Sequence, residues 1–137
     1  IGLTMADVAK RLVGIEIIPQ AVENAKINAA LNNITNAEFI CADAAKGAEL
    51  LRKEGITPDV IILDPPRKGC DKALLDTVVQ MSPKKIVYVS CDSATLARDL
   101  EILKNKNYIV QRVTAVDMFP RTPHVEAVAL IIKKVFN

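Results

Sequence analysis

The sequence predicts an α/β fold with a mostly parallel sheet covered on both faces. Strand-like apolar runs alternate with helix-like segments along most of the chain. Runs such as Val60-Ile61-Ile62-Leu63 and Ile86-Val87-Tyr88-Val89 are continuously apolar, the pattern of strands buried on both sides. Two longer strand-like segments close the chain near each other in sequence, as expected for an antiparallel pair.

Residues 1–10 read as a helix and residues 12–16 as a strand. Pro19 suits a helix start, and Val22, Ala25, Ala29 and Ala30 carry a helical apolar pattern to Leu31. A short strand over 37–40 and a helix over 44–53 follow. Residues 59–63 read as a strand ending at Asp64, and residues 71–81 as a helix. The apolar run from Lys85 stops at Ser90-Cys91, and a helix begins beside Asp92. Strands over 108–116 and 125–133 complete the pattern, with residues 119–124 between them as a loop.

With 137 residues, half apolar and a quarter charged, the chain is long enough for one domain with a real core. A formal net charge of +2 neither requires nor excludes nucleic acid, since a local basic patch suffices. Lys68, Lys72, Arg98, Arg112 and Arg121 are scattered, and solvated surface is the default for each. The three cysteines, Cys41, Cys70 and Cys91, have no CxxC spacing and are odd in number. They suggest free thiols in a reducing, cytoplasmic setting, with neither a disulfide framework nor a metal site. No apolar run reaches the roughly 18–20 residues of a membrane span.

Cys91 is a candidate nucleophile. It follows a strand's carboxyl end, where open α/β sheets place ligands, and it precedes a helix whose amino terminus favours the thiolate. Glu126, at the start of the last strand, can act as a general base if that strand lies beside the one ending at Cys91. Otherwise it is a charged strand end. Glu16 closes the first strand, where an acid can hold ribose hydroxyls; a solvated charge is the equal alternative. Asp43 stands one strand later and could accept from an adenine amine, although a helix cap explains it as well. In Asp64-Pro65-Pro66-Arg67 the prolines stiffen the loop and hold Asp64 at the sheet edge. An aromatic after the prolines would point to amino methylation; Arg67 stands there instead. Cys41 is expected in the core and Cys70 as a loop thiol. His124, the one histidine, has a structural default.

Three segments together resemble the RNA 5-methyluridine (uracil-C5) methyltransferases, in particular the bacterial 23S rRNA branch and its tRNA relatives. They are Asp64-Pro65-Pro66-Arg67-Lys68-Gly69, the run from Val89 to Asp99, and the run from Asp117 to Glu126. The resemblance spans nearly the whole chain. It implies a class I, Rossmann-like methyltransferase fold that uses S-adenosyl-L-methionine, with an RNA substrate, rRNA ahead of tRNA. Under it, Cys91 matches the nucleophile and Glu126 the base. Glu16 matches the ribose-binding acid, Asp43 the adenine contact, and Asp64 a cofactor-site or base-proximal residue. The chain departs from many relatives at Asp92-Ser93, where they carry Asn-Pro, and at Arg121, where they carry His. A methyltransferase acting on another acceptor and a non-catalytic RNA-binding module are the alternatives.

The resemblance also frames residues 1–137 as a catalytic-domain fragment. The family's glycine-rich cofactor loop, its first central strand and its RNA-binding region would all precede Ile1. The strands flanking the absent one are then expected either to pair directly or to drive self-association. Such a fragment should be inactive alone and bind S-adenosylmethionine weakly. Titration calorimetry checks this, and an affinity equal to that of the full-length enzyme would overturn it.

Overall fold

The computed structural model describes residues 1–135. The backbone divides into two compact units, Ile1–Leu51 and the remainder from Arg52.

In the first unit, Gly2–Met5 forms a single turn of 3-10 helix, and the helix expected over residues 1–10 does not form. A longer helix would have no apolar face to bury: Ala6 is buried, but Val8 is 83% exposed. The Asn36 amide also donates to the carbonyls of Ala6 (2.8 Å) and Ala9 (2.6 Å), which become acceptors for a neighbouring loop. Strand β1 (Leu12–Glu16) leads to helix α1 (Pro19–Leu31), with proline in its first turn. Val22 and Ala29 of the expected apolar set are buried and Ala25 is half-buried, but Ala30 faces solvent. Strand β2 (Ala37–Cys41) pairs with β1 in parallel, from Leu12 opposite Ala37 to Glu16 opposite Cys41. Helix α2 (Ala44–Lys53) follows, and its last two residues begin the second unit. Gly47 allows α2 to approach β1 closely, because a Cβ there would lie 2.6 Å from Ile15 Cγ2.

The second unit contains β3 (Val60–Leu63), α3 (Lys72–Met81), β4 (Lys85–Ser90), α4 (Ser93–Lys104), β5 (Tyr108–Val116) and β6 (Glu126–Lys133). Its sheet runs β3-β4-β6-β5. The β3–β4 pair is parallel. The β4–β6 and β6–β5 pairs are antiparallel, as the two long C-terminal segments suggested. A register shift between Val110 and Arg112 bulges β5. One face of this sheet presents Leu63, Ile86, Tyr88, Ala127, Ala129 and Ile131 to a core shared with Leu75 and Val78 of α3 and Leu96 and Leu103 of α4. Tyr108 joins that core and donates its hydroxyl proton to the Pro83 carbonyl (3.0 Å), so the buried oxygen is satisfied.

Direct pairing of β1 with β3 does not occur; they belong to separate sheets. Among the described residues, no helix is long and apolar enough to cross a membrane.

Asp71 caps α3 by accepting from the Leu74 amide (2.7 Å). Replacing it with alanine is expected to lower stability by about 1 kcal/mol. Urea denaturation followed by circular dichroism checks this; an unchanged midpoint would show that the cap contributes nothing.

Candidate active site

The first unit brings two acidic residues to one sheet edge. Glu16 ends β1, and its Oε1 accepts from the Ile18 amide (2.9 Å), which fixes the carboxylate over the turn into α1. Asp43 stands two residues beyond the end of β2, the parallel neighbour of β1. Its Oδ1 accepts from the amides of Ala45 (3.1 Å) and Lys46 (3.3 Å). Asp43 is therefore a helix cap, and one carboxylate oxygen serves that purpose. Both residues are exposed at the carboxyl ends of adjacent parallel strands. Cys41, expected in the core, is exposed there as well, because it ends the strand past the packed segment.

In the second unit, strand alternation decides which groups meet. The β4–β6 ladder pairs Val89 with Val128 and Ser90 with Ala127. The ladder ends at that pair; Cys91 is the first residue beyond β4, and Glu126 is the first residue of β6. Directly opposed residues of an antiparallel pair share a face, with Cα atoms about 4.5–5.5 Å apart. The β3–β4 ladder pairs Leu63 with Tyr88, so its next step sets Asp64 beside Val89, again on that face. Val116 of β5 pairs with Glu126. A cavity of about 420 Å³ opens on this side, lined by Asp64, Val89, Val116, Met118, Phe119, Glu126 and Val128. It is lined mainly by apolar side chains, together with two carboxylates. Cys91 is not among the lining residues; it is half-buried in the turn just after β4.

The turn that carries Cys91 is locked from both sides. Ser90 Oγ donates to the Asp92 carbonyl (2.9 Å) and accepts from the Asp92 amide (3.1 Å). Asp92 Oδ1 accepts from the amides of Ala94 (3.0 Å) and Thr95 (2.9 Å) and so caps α4. These bonds, led by the Thr95 amide, hold the Asp92 carboxyl below the ordinary aspartate range. The departure from Asn-Pro at this point thus preserves a capping side chain. Phe119 and His124 meet edge to face, with centroids 6.3 Å apart, which orders the loop before Glu126.

Cys70 is a loop residue, but a buried one. Burial, countered in part by Tyr88 and Arg98, pushes its thiol up to about 11. Tyr88 is raised for the same first reason, and next by the hydrogen bond its hydroxyl donates to Asp99. The sequence reading missed the apolar lining at Val89, Val116, Met118, Phe119 and Val128. The alternation of β4 and β6 carried the signal, but reading it required the register.

A sheet with these helices and this antiparallel finish defines a class I methyltransferase fold. Solved structures agree. A Pyrococcus abyssi tRNA (uracil-54, C5)-methyltransferase, crystallised with S-adenosyl-L-homocysteine, superposes with a TM-score of 0.78 at 34% identity, covering 96% of this chain and 31% of that one. NSun6 from Pyrococcus horikoshii, at 15% identity and a TM-score of 0.71, shares the fold over 90% of this chain and 41% of its own. The tRNA (uracil-5-)-methyltransferase family matches residues 1–134, and the chain belongs to that family. An uncharacterized RNA methyltransferase of Bacillus cereus is 54% identical over 131 residues, 96% of this chain. Another from Clostridium acetobutylicum is 53% identical over the same length. The chain spans 28% of the length of each of these relatives.

The three thiols should separate by accessibility. Iodoacetamide at pH 8 is expected to label exposed Cys41 and half-buried Cys91 at least about tenfold faster than Cys70, whose raised value leaves little thiolate. Peptide mass spectrometry of the native protein reads this, and preferential labelling of Cys70 would contradict the buried loop.

Proposed function

We propose that the chain is the catalytic portion of a longer enzyme that methylates C5 of a uridine in RNA through a covalent cysteine adduct. The single supporting observation is a cavity lined by Asp64, Val89 and Glu126, with Cys91 one residue beyond β4 and Glu126 first in β6, the antiparallel partner of β4. A pure RNA-binding surface requires neither a thiol nor a carboxylate in that arrangement.

Glu16 and Asp43 fit a nucleoside. Each keeps one carboxylate oxygen engaged by backbone amides and leaves the other to accept from ribose hydroxyls or an exocyclic amine. S-adenosylmethionine, held by Glu16 and Asp43, would supply an electrophilic methyl group to the carbon that the cysteine has activated and leave as S-adenosylhomocysteine. The Cys91 thiolate adds to C6 of uracil, and the electron pair of the C5–C6 double bond moves onto C5 and the adjacent carbonyl. C5, a poor nucleophile before addition, becomes enolate-like. Glu126 then removes the C5 proton. The double bond re-forms as the C6–S bond breaks, and Cys91 leaves as the thiolate. The uridine must leave its stack to enter the cavity, where Phe119 offers an aromatic wall.

The substrate of this proposal is RNA, with 23S rRNA as the first transcript to test and tRNA as the second, in the reducing cytoplasm. Self-association of the isolated chain through the one-sided ladders of β1 and β3 belongs to the same proposal.

In the full-length protein, RNA containing 5-fluorouridine should form a denaturation-resistant adduct, because fluorine at C5 cannot be removed by the base. Cys91→Ser should form none. Glu126→Gln should reduce turnover by about 10²–10⁴-fold and accumulate the adduct on ordinary RNA. Full methyl transfer by Cys91→Ser would overturn this reading in favour of another acceptor.

A further inference from the structure

Behind the proposed site lies a buried carboxylate with no part in the mechanism above. Asp99 of α4 is 0% exposed. Its Oδ2 accepts from the Cys70 amide (2.8 Å) and the Tyr88 hydroxyl (2.5 Å). Its Oδ1 accepts twice from Arg98, at Nε (2.8 Å) and Nη2 (2.7 Å). Arg98 Nη2 also donates to the carbonyls of Lys68 (2.9 Å) and Cys70 (3.2 Å). One turn earlier, Thr95 Oγ1 donates to the Arg67 carbonyl (2.9 Å). Three residues of α4 thereby grip the backbone of residues 67–70, the continuation of the Asp64-Pro65-Pro66 loop.

Each partner reaches a different part of the site. The gripped loop carries Asp64 at its start. Tyr88 lies on β4 three residues before Cys91, and α4 is capped by the residue after Cys91. Gly69 shows how tightly the parts meet. Its φ of +74° suits glycine, and a Cβ there would lie 2.6 Å from both Arg98 Nη2 and Asp99 Oδ2.

We infer that Asp99, with Arg98 and Thr95, is a positioning group that fixes the Asp64 loop against the Cys91 turn. The inference rests on the function proposed above and goes beyond it by giving the family's chemistry a rigid frame. Only a carboxylate meets the demand. It offers two acceptor oxygens to donors on opposite sides, whereas an asparagine would present N–H groups to one set of donors. A misplacement of about 1 Å at a reacting pair is enough to slow chemistry by about 10²-fold.

The test uses the full-length enzyme and RNA containing 5-fluorouridine, with adduct formation and RNA affinity measured separately. Asp99→Asn is expected to slow adduct formation at least tenfold while the RNA dissociation constant stays within threefold of wild type. Should Asp99→Asn not fold, Thr95→Val removes only the hydroxyl and is expected to slow the same step severalfold, with Thr95→Ser restoring it. An unchanged adduct rate in the folded variants would overturn the positioning role. Equal losses of affinity and rate would also overturn it, as signs of general destabilisation. Wild-type enzyme that forms no adduct at all would instead sink the uracil-C5 reading.

Discussion

Everything functional in the second unit depends on the ladder of β4. This strand pairs in parallel with β3 on one side and antiparallel with β6 on the other. Side chains alternate across a strand, so a register error of one residue on either side would send Asp64 or Glu126 into the core face. The opposite face prevents such a slip. Ile86, Tyr88, Ala129 and Ile131 are fully buried, and shifting either ladder would expose them and drive charge inward. Hydrophobic packing on one face therefore fixes which side chains share the other.

The two faces also communicate through the polar core. Tyr88 points to the packed side and ends on Asp99, yet it belongs to the strand that delivers Cys91. A buried charge is costly unless paired and fully hydrogen-bonded, and Asp99 satisfies both conditions through Arg98, Tyr88 and the Cys70 amide. Among the described residues, no buried side-chain nitrogen or oxygen lacks a partner. Such an arrangement contributes less to stability than an apolar substitute could, but it specifies one loop geometry.

Much of the fold was legible because local signals were strong. Continuous apolar runs gave β1, β3 and β4; proline marked the start of α1; Asp71 and Asp92 marked the starts of α3 and α4. The expected helix over residues 1–10 does not form, since Val8 has nothing to pack against and Asn36 takes the carbonyls of Ala6 and Ala9. Cys41, expected in the core, is exposed because it occupies the last position of β2. The motif acids Glu16, Asp43 and Asp64 could be named from their places at strand ends, but their hydrogen-bond partners could not.

The sequence by itself determined the alternation of elements, the family and the identity of the thiol and carboxylates, because these depend on neighbouring residues and short motifs. Only the tertiary structure decided that β4 pairs with β6 in this register, that Phe119 and Glu126 line one cavity and that Asp99 ties the loop to the helix. Those relations join residues far apart in the chain, Asp99 to Cys70 across 29 positions, and they depend on strand register and burial, which no local stretch of sequence encodes.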